Sequence, residues 1–255
     1  MKRPHFLYRY LSLSGERREW VRQAIVDGRH YFANPRLFND PFDCWPTLLV
    51  NGTDADLKNY YEHSLAADPR WVNHEARQAE LVRLLSDPAS DMRQPERAKL
   101  FRQEFRQEIE EITGVMCFSE VRDDLLMWAH YADSHRGLCL MFDGTADAFR
   151  FAERLRYRQK RPRMRVFGEV KDASTLAFAT KSTHWRYEKE WRLIEFQSGL
   201  RDCPQLRSAL VGVVLGAKAT MEDRDLVRSW ANALSPAPRI YQASTSESNY
   251  RLRLR

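Results

Sequence analysis

Glu188 and Glu190 stand one residue apart at the head of the run Tyr187-Glu-Lys-Glu-Trp-Arg-Leu-Ile194. Strand side chains alternate between faces, so two acids at this spacing enter one cleft together. Like charges that close are coupled: one acid holds its proton longer than the other. That poise suits polarising a sugar hydroxyl or stabilising a cationic sugar carbon. Trp191 and Leu193 take the opposite face and anchor the strand. The alternative is purely structural, with the two glutamates pairing with Arg186 and Arg192.

Three further groups could serve the same cleft. The stretch Trp128-Ala-His-Tyr-Ala-Asp-Ser-His-Arg-Gly-Leu-Cys-Leu-Met-Phe-Asp143 crowds an indole, an imidazole (His130), a phenol (Tyr131) and a carboxylate (Asp133) into one helical turn. Gly137 then permits a sharp turn into a buried strand. Tyr8-Arg-Tyr10 puts two phenols on one strand face and Arg9 on the other, where its planar fork could clamp a pyrophosphate or ribose. Arg9 could equally be a surface edge residue. In Cys117-Phe-Ser119 the Ser119 hydroxyl sits at a strand end, facing a cleft or capping the next helix.

The elements that must position these residues follow from periodicity and punctuation. Phe6–Leu11 reads as a strand and Glu16–Val26 as a helix ended by Gly28. His30–Ala33 is strand-like, and Asn34–Asp43, with two prolines, is an ordered irregular loop. From 54 to 113 the pattern is helical, broken at Pro69, Pro88 and Pro95, and reads as a helical insertion. Val115–Ser119 is a strand, and Asp123 or Asp124 caps the helix carrying Trp128 to Asp133. Gly137–Phe142 returns as a strand, and the arginine-rich Arg150–Arg165 reads as a helix end followed by an exposed strand or hairpin. Glu190–Phe196, Val211–Leu215 and the alternating Tyr250–Arg255 are further strands, the last at an edge, and Met221–Leu234 is a helix. The order predicts one α+β domain over residues 1–255, with a mixed sheet and flanking helices.

The chain has 255 residues, 43% hydrophobic, enough for a sizeable core. Lys plus Arg number 41 against 35 Asp plus Glu, a net charge of +6 that favours polyanionic partners. Cys44, Cys117, Cys139 and Cys203 are too scattered for a zinc site and suit reduced thiols. The charged start at Met1 has no apolar signal core, and no window has the length of a membrane span, so a cytoplasmic, membrane-free protein is expected.

The combination of Leu7–Tyr10, Asn39–Asp43, Val115–Ser119, Met127–Gly137 and Tyr187–Ile194 resembles a bacterial family known as domain of unknown function 2971, over nearly the whole chain. More distantly, a first strand with arginine, a middle strand ending in serine and a late Glu-x-Glu strand resemble the order of parts in ADP-ribosyltransferases. That resemblance implies a split β-sheet holding NAD. It casts Glu190 as the catalytic glutamate that stabilises the ribosyl cation, Glu188 as the acceptor-orienting acid, Arg9 as an NAD contact, Ser119 as the middle-strand hydroxyl and Tyr131 as the ring stacked on nicotinamide. Tyr8 and His130 complete the candidate cofactor contacts, with no metal. The middle strand reads Cys-Phe-Ser where the superfamily has serine-threonine-serine.

The expected function is an NAD-dependent ADP-ribosyltransferase-like enzyme or NAD glycohydrolase, as a toxin or phage-defence effector. A nucleic acid or protein acceptor would be met by the Arg150–Arg165 run, with Tyr157 and Phe167 among the cations to stack a base. The alternative is a non-catalytic nucleotide- or nucleic-acid-binding defence module. A metal-dependent nuclease built on Asp40, Asp43 and Glu188 ranks last, because no acidic-x-Lys strand follows. His130 and His135, five apart, fall on different helix faces and make a poor metal pair.

Overall fold

The computed structural model describes residues 3–167 and 177–255; Met1 and Lys2, at the charged start, lie outside them. The fold is α+β around a mixed sheet. Its strands are β1 (Phe6–Leu11), β4 (Thr113–Ser119), β5 (Leu138–Asp143), β6 (Glu153–Arg154), β10 (Glu190–Phe196), β12 (Leu210–Leu215), β13 (Arg239–Thr245) and β14 (Leu252–Leu254). They lie in the order β14-β13-β12-β5-β1-β4-β10-β6. Only β12 and β13 run parallel; every other pairing in this sheet is antiparallel. Three small ladders surround it: β11 (Gly199–Asp202) on β2 (Arg29–Phe32), β3 (Thr47–Leu49) on β8 (Arg163–Arg165), and β7 (Arg156–Arg158) on β9 (Thr180–Ser182).

Leu138–Phe142 is apolar throughout because β5 is covered on both faces. Leu7, Leu138, Leu140, Phe142 and Val213 face one layer, which includes α1 (Arg17–Arg22) and Val227 of the helix Met221–Asn232. Tyr8, Tyr10, Cys139, Met141 and Val214 face the other, where α5 (Leu125–Tyr131) lays Met127 and the fully buried Trp128 on them. Between β3 and β4 lie α2 (Asp54–Ala67), α3 (His74–Ser86) and α4 (Pro95–Ile112), with a cluster of their own around Leu57, Tyr61, Leu65, Leu81 and Met92.

The ladder between β1 and β4 is what creates a site. It consists of one pair, Tyr8 with Ser119, whereas β1 pairs with β5 from Phe6 to Leu11 and β4 pairs with β10 from Thr113 to Ser119. Beyond Tyr8 the two strands diverge, and Ala33 bridges to Val115 instead. The fork is a cleft in the middle of the sheet.

Several local expectations are corrected. The arginine-rich run forms no hairpin: β6, β7 and β8 each pair with a different distant strand. The helix after Asp124 ends at Tyr131, so Asp133 is not on it. The turn that follows is made by three left-handed residues, Asp133, Ser134 and His135, at φ 48°, 52° and 70°. Gly137 is needed for another reason: a Cβ there would overlap the Leu11 carbonyl oxygen. The helix Arg17–Arg22 runs on through a widened turn, Gln23–Asp27, before Gly28 closes it at φ 70°.

Candidate active site

Glu188 is not a strand residue. It ends a 3-10 turn, Thr183–Glu188, after which Lys189 takes a left-handed conformation (φ 44°) and β10 begins at Glu190. That turn, rather than strand alternation, aims both carboxylates the same way. Lys181 of β9 joins them, its Nζ donating to Glu188 Oε2 at 2.5 Å and to Glu190 Oε2 at 2.8 Å. Asp43 Oδ2 is 3.5 Å from the same ammonium.

Arg192 stands two residues along β10 on the same face as Glu190, and its guanidinium is fully buried. Its Nε donates to Glu190 Oε1 at 2.7 Å, and its two terminal nitrogens grip Asp43 at 2.9 and 2.7 Å. The Phe178 carbonyl takes a further bond at 2.9 Å. The structural alternative is thus realised for Glu190 and Arg192, whereas Glu188 pairs with Lys181 instead of Arg186. Three acids and two cations share one buried cluster, and every carboxylate oxygen in it that meets a cation is held in fixed geometry.

The environments push the two glutamates apart. Burial alone would raise both, yet Arg192 and Lys181 hold Glu190 well below the usual carboxylate range. For Glu188 burial dominates, opposed by Lys181 and reinforced by the charge of Glu190, so its carboxyl is raised to about 7. Tyr131 Oη donates to Glu188 Oε1 at 2.7 Å, and Asn39 Nδ2 donates to that phenol at 3.3 Å. Burial, partly offset by Lys181, raises the Tyr131 phenol, which keeps it a donor.

These groups open onto the fork between β1 and β4, a cavity of about 370 Å³. Of the candidate residues, Glu188, Glu190, Tyr8, Arg9, His130 and Tyr131 line it. Arg9 is half-buried on the opposite wall, donating to the Tyr31 carbonyl at 2.7 Å and sharing a 3.1 Å bond with His30 Nδ1. Burial lowers the Arg9 guanidinium to about 10 and, with Arg9 beside it, lowers His30 to about 3, so His30 is neutral and Arg9 charged at neutral pH. Arg9 forms no ion pair among the described residues. His130 is exposed at the rim, its ring 6.2 Å from that of Tyr131. Ser119 is not a cleft residue: it is buried, and its hydroxyl donates to the Glu188 carbonyl and accepts from Val121 N. Its job is to tie the end of β4 to the glutamate turn.

Sequence reasoning missed Lys181, the hub of the cluster, and weighed Asp43 only as a metal ligand. The available signal was a lysine ending the run Ala177-Phe-Ala-Thr-Lys181, where an unpaired cation would be costly. Among the described residues no group of three or more His, Cys, Asp or Glu is placed to hold a metal, and no helix is long and apolar enough to cross a membrane.

No curated protein and no solved structure matches the chain. Residues 127–193, the segment that carries Tyr131, Lys181, both glutamates and Arg192 but neither Arg9 nor Asp43, match the model of a family described as a protein of unknown function (DUF2971), and over that segment this chain is similar to that family.

Proposed function

We propose that this chain cleaves NAD as an ADP-ribosyltransferase-like enzyme, passing the ADP-ribosyl group to an acceptor or to water. The supporting observation is the cleft between β1 and β4, which sets Glu190 and Glu188 on one wall and, on the other, Arg9, which has no ion-pair partner among the described residues. The site residues fit the substrate's chemistry. Arg9 meets the pyrophosphate, and the rings of Tyr131 and Tyr8 meet the nicotinamide. Glu190 faces the positive charge that develops at the ribosyl carbon. As the carbon–nitrogen bond breaks, its electron pair leaves with neutral nicotinamide. The acceptor's oxygen or nitrogen bonds to the ribosyl carbon, and its proton passes to ionised Glu188. Lys181 fixes both acids.

Incubating pure protein with NAD labelled in the nicotinamide tests this. Native protein is expected to release the label, and Glu190→Gln to lose about 10²–10³-fold in rate, with a thermal melt of the variant establishing that it folds. Equal release by both, or release by neither, overturns it.

One observation favours a second reading, a non-catalytic nucleotide- or nucleic-acid-binding defence module. Both oxygens of Glu190 are occupied by Arg192 and Lys181, as in an ionic core. On that reading Glu190→Gln alters stability alone, and a phage-protection or toxicity assay in cells is unaffected by it; on the first, the effect in cells disappears with NAD cleavage.

A further inference from the structure

A second cavity, of about 510 Å³, lies on the other side of Lys181, which lines both. Its walls include Phe42, Arg158, Lys160, Arg161, Ser182 and Trp185. We propose that it binds a single-stranded nucleic-acid segment, the acceptor in the transfer; the acceptor role rests on the NAD reading above, the binding does not.

The pocket is built from three separate parts of the chain. Arg158 is placed by the parallel ladder of β7 on β9, where it pairs with Ser182. Arg161 is pinned by two bonds to the Trp45 carbonyl, at 3.0 and 2.6 Å, with its guanidinium 5.5 Å from the Phe42 ring centre. Phe42, near the end of the Asn34–Asp43 loop, is 60% exposed even with that guanidinium over its ring, so ring surface is left open to a ligand. Trp185, on the turn that carries Glu188, is half-buried with the Lys181 ammonium 5.0 Å from its ring. Arg158, Lys160 and Arg161 form no ion pair with an acid among the described residues.

Cations able to follow a phosphate backbone, next to rings that offer a face to any base, form the combination that holds unpaired nucleotides. An acidic peptide would use the cations and leave the rings idle; a duplex would hide its base faces. Asp40, buried in the same wall with its carboxylate on Phe42 N, repels phosphate from the ring side and so assigns phosphates to Arg158, Lys160 and Arg161. The net charge of +6 attracts any polyanion from a distance. Because Lys181 lines both cavities and bonds to Glu188, an acceptor seated here is separated by that one side chain from the group that takes its proton.

The test is anisotropy of fluorescein-labelled 12-mers, as single-stranded DNA or RNA and as duplex, with the full chain between about 50 and 200 mM salt. Single strands are expected to bind more tightly than duplex, with a log–log salt slope of about −2 for three phosphate contacts, flattening to about −0.7 in Arg158→Glu with Lys160→Glu. Phe42→Ala is expected to weaken single strands about tenfold with its slope unchanged, since stacking is not ionic. Thermal melts establish that these surface variants fold. Equal affinity for duplex, unaltered binding by the double variant, no binding at 50 mM salt, or preference for a phosphorylated peptide overturns the proposal. Oligonucleotide binding without NAD cleavage defeats only the transferase reading; NAD cleavage without oligonucleotide binding defeats only the pocket.

Discussion

At neutral pH Glu188 is divided between its charged and protonated forms, because burial and the neighbouring Glu190 raise it while Lys181 lowers it. Its folded value of about 7 lies above that of an unfolded glutamate, near ~4.3, so the native state keeps a proton the unfolded state releases. Stability from this group is complete below the unfolded value and is lost as pH rises through about 7, a loss of about 4 kcal/mol in all at ~1.4 kcal/mol per tenfold change in proton affinity. Urea unfolding at pH 5 and pH 8 should show Glu188→Gln less sensitive to pH than the native protein by about 3 kcal/mol, the part of that loss that falls between the two conditions. Where NAD cleavage is followed, its rate should climb through the same pH region as Glu188 ionises. Lys181→Met should move that limb to more alkaline pH; an unmoved limb would show that another group carries it. Arg192 holds Glu190 ionised and also carries stability. Fully buried between Asp43 and Glu190, its replacement by Met leaves the buried acids to share Lys181 alone, at a cost of about 3–5 kcal/mol in chemical denaturation.

Elements set where these residues stand. Tyr131 is delivered by α5, whose first turn is closed by Asp124 accepting from Leu126 N and Met127 N. Asp124→Ala should lower stability by about 1 kcal/mol; a melt indistinguishable from native would show the cap to be idle. The turn after α5 passes so close to β1 that Gly137 has no room for a Cβ against the Leu11 carbonyl. Gly137→Ala should therefore destabilise by ~1–3 kcal/mol, with the loss visible in the melting temperature. The strands β1, β2, β4, β5, β10, β12 and β14 and the longer helices were legible in the sequence, whereas β3, β9, β11 and β13 were not. Phe6–Leu11, the cap at Asp124 and the exposed edge strand near the C-terminus follow from alternation and capping chemistry. The glutamate pair was legible as a pair, though its geometry was not: a left-handed Lys189 is dictated by packing and has no local signature. Nor could the arginine-rich run be assigned, since each of its short strands is defined by a partner far away in the chain.

For the whole molecule, the three helices between β3 and β4 bury a cluster separate from that of the sheet. Their amides have fewer layers above them than those of β5 and β12, so native-state hydrogen exchange should protect 54–112 less than 138–143 and 210–215. Uniform protection would mean that the helical layer opens only with the sheet.

Composition and periodicity by themselves determined that this chain folds as α+β around a buried sheet, because local spacing decides which side chains share an element face; they also singled out Glu188, Glu190, Tyr131 and Arg9 as candidates. Only the tertiary structure decided that β1 and β4 part after a single pair, that Lys181 and Asp43 reach in from other elements, and that Ser119 is consumed as a tie. Long-range pairing and the desolvation of charges are settled by which distant segments meet, and no local pattern encodes that.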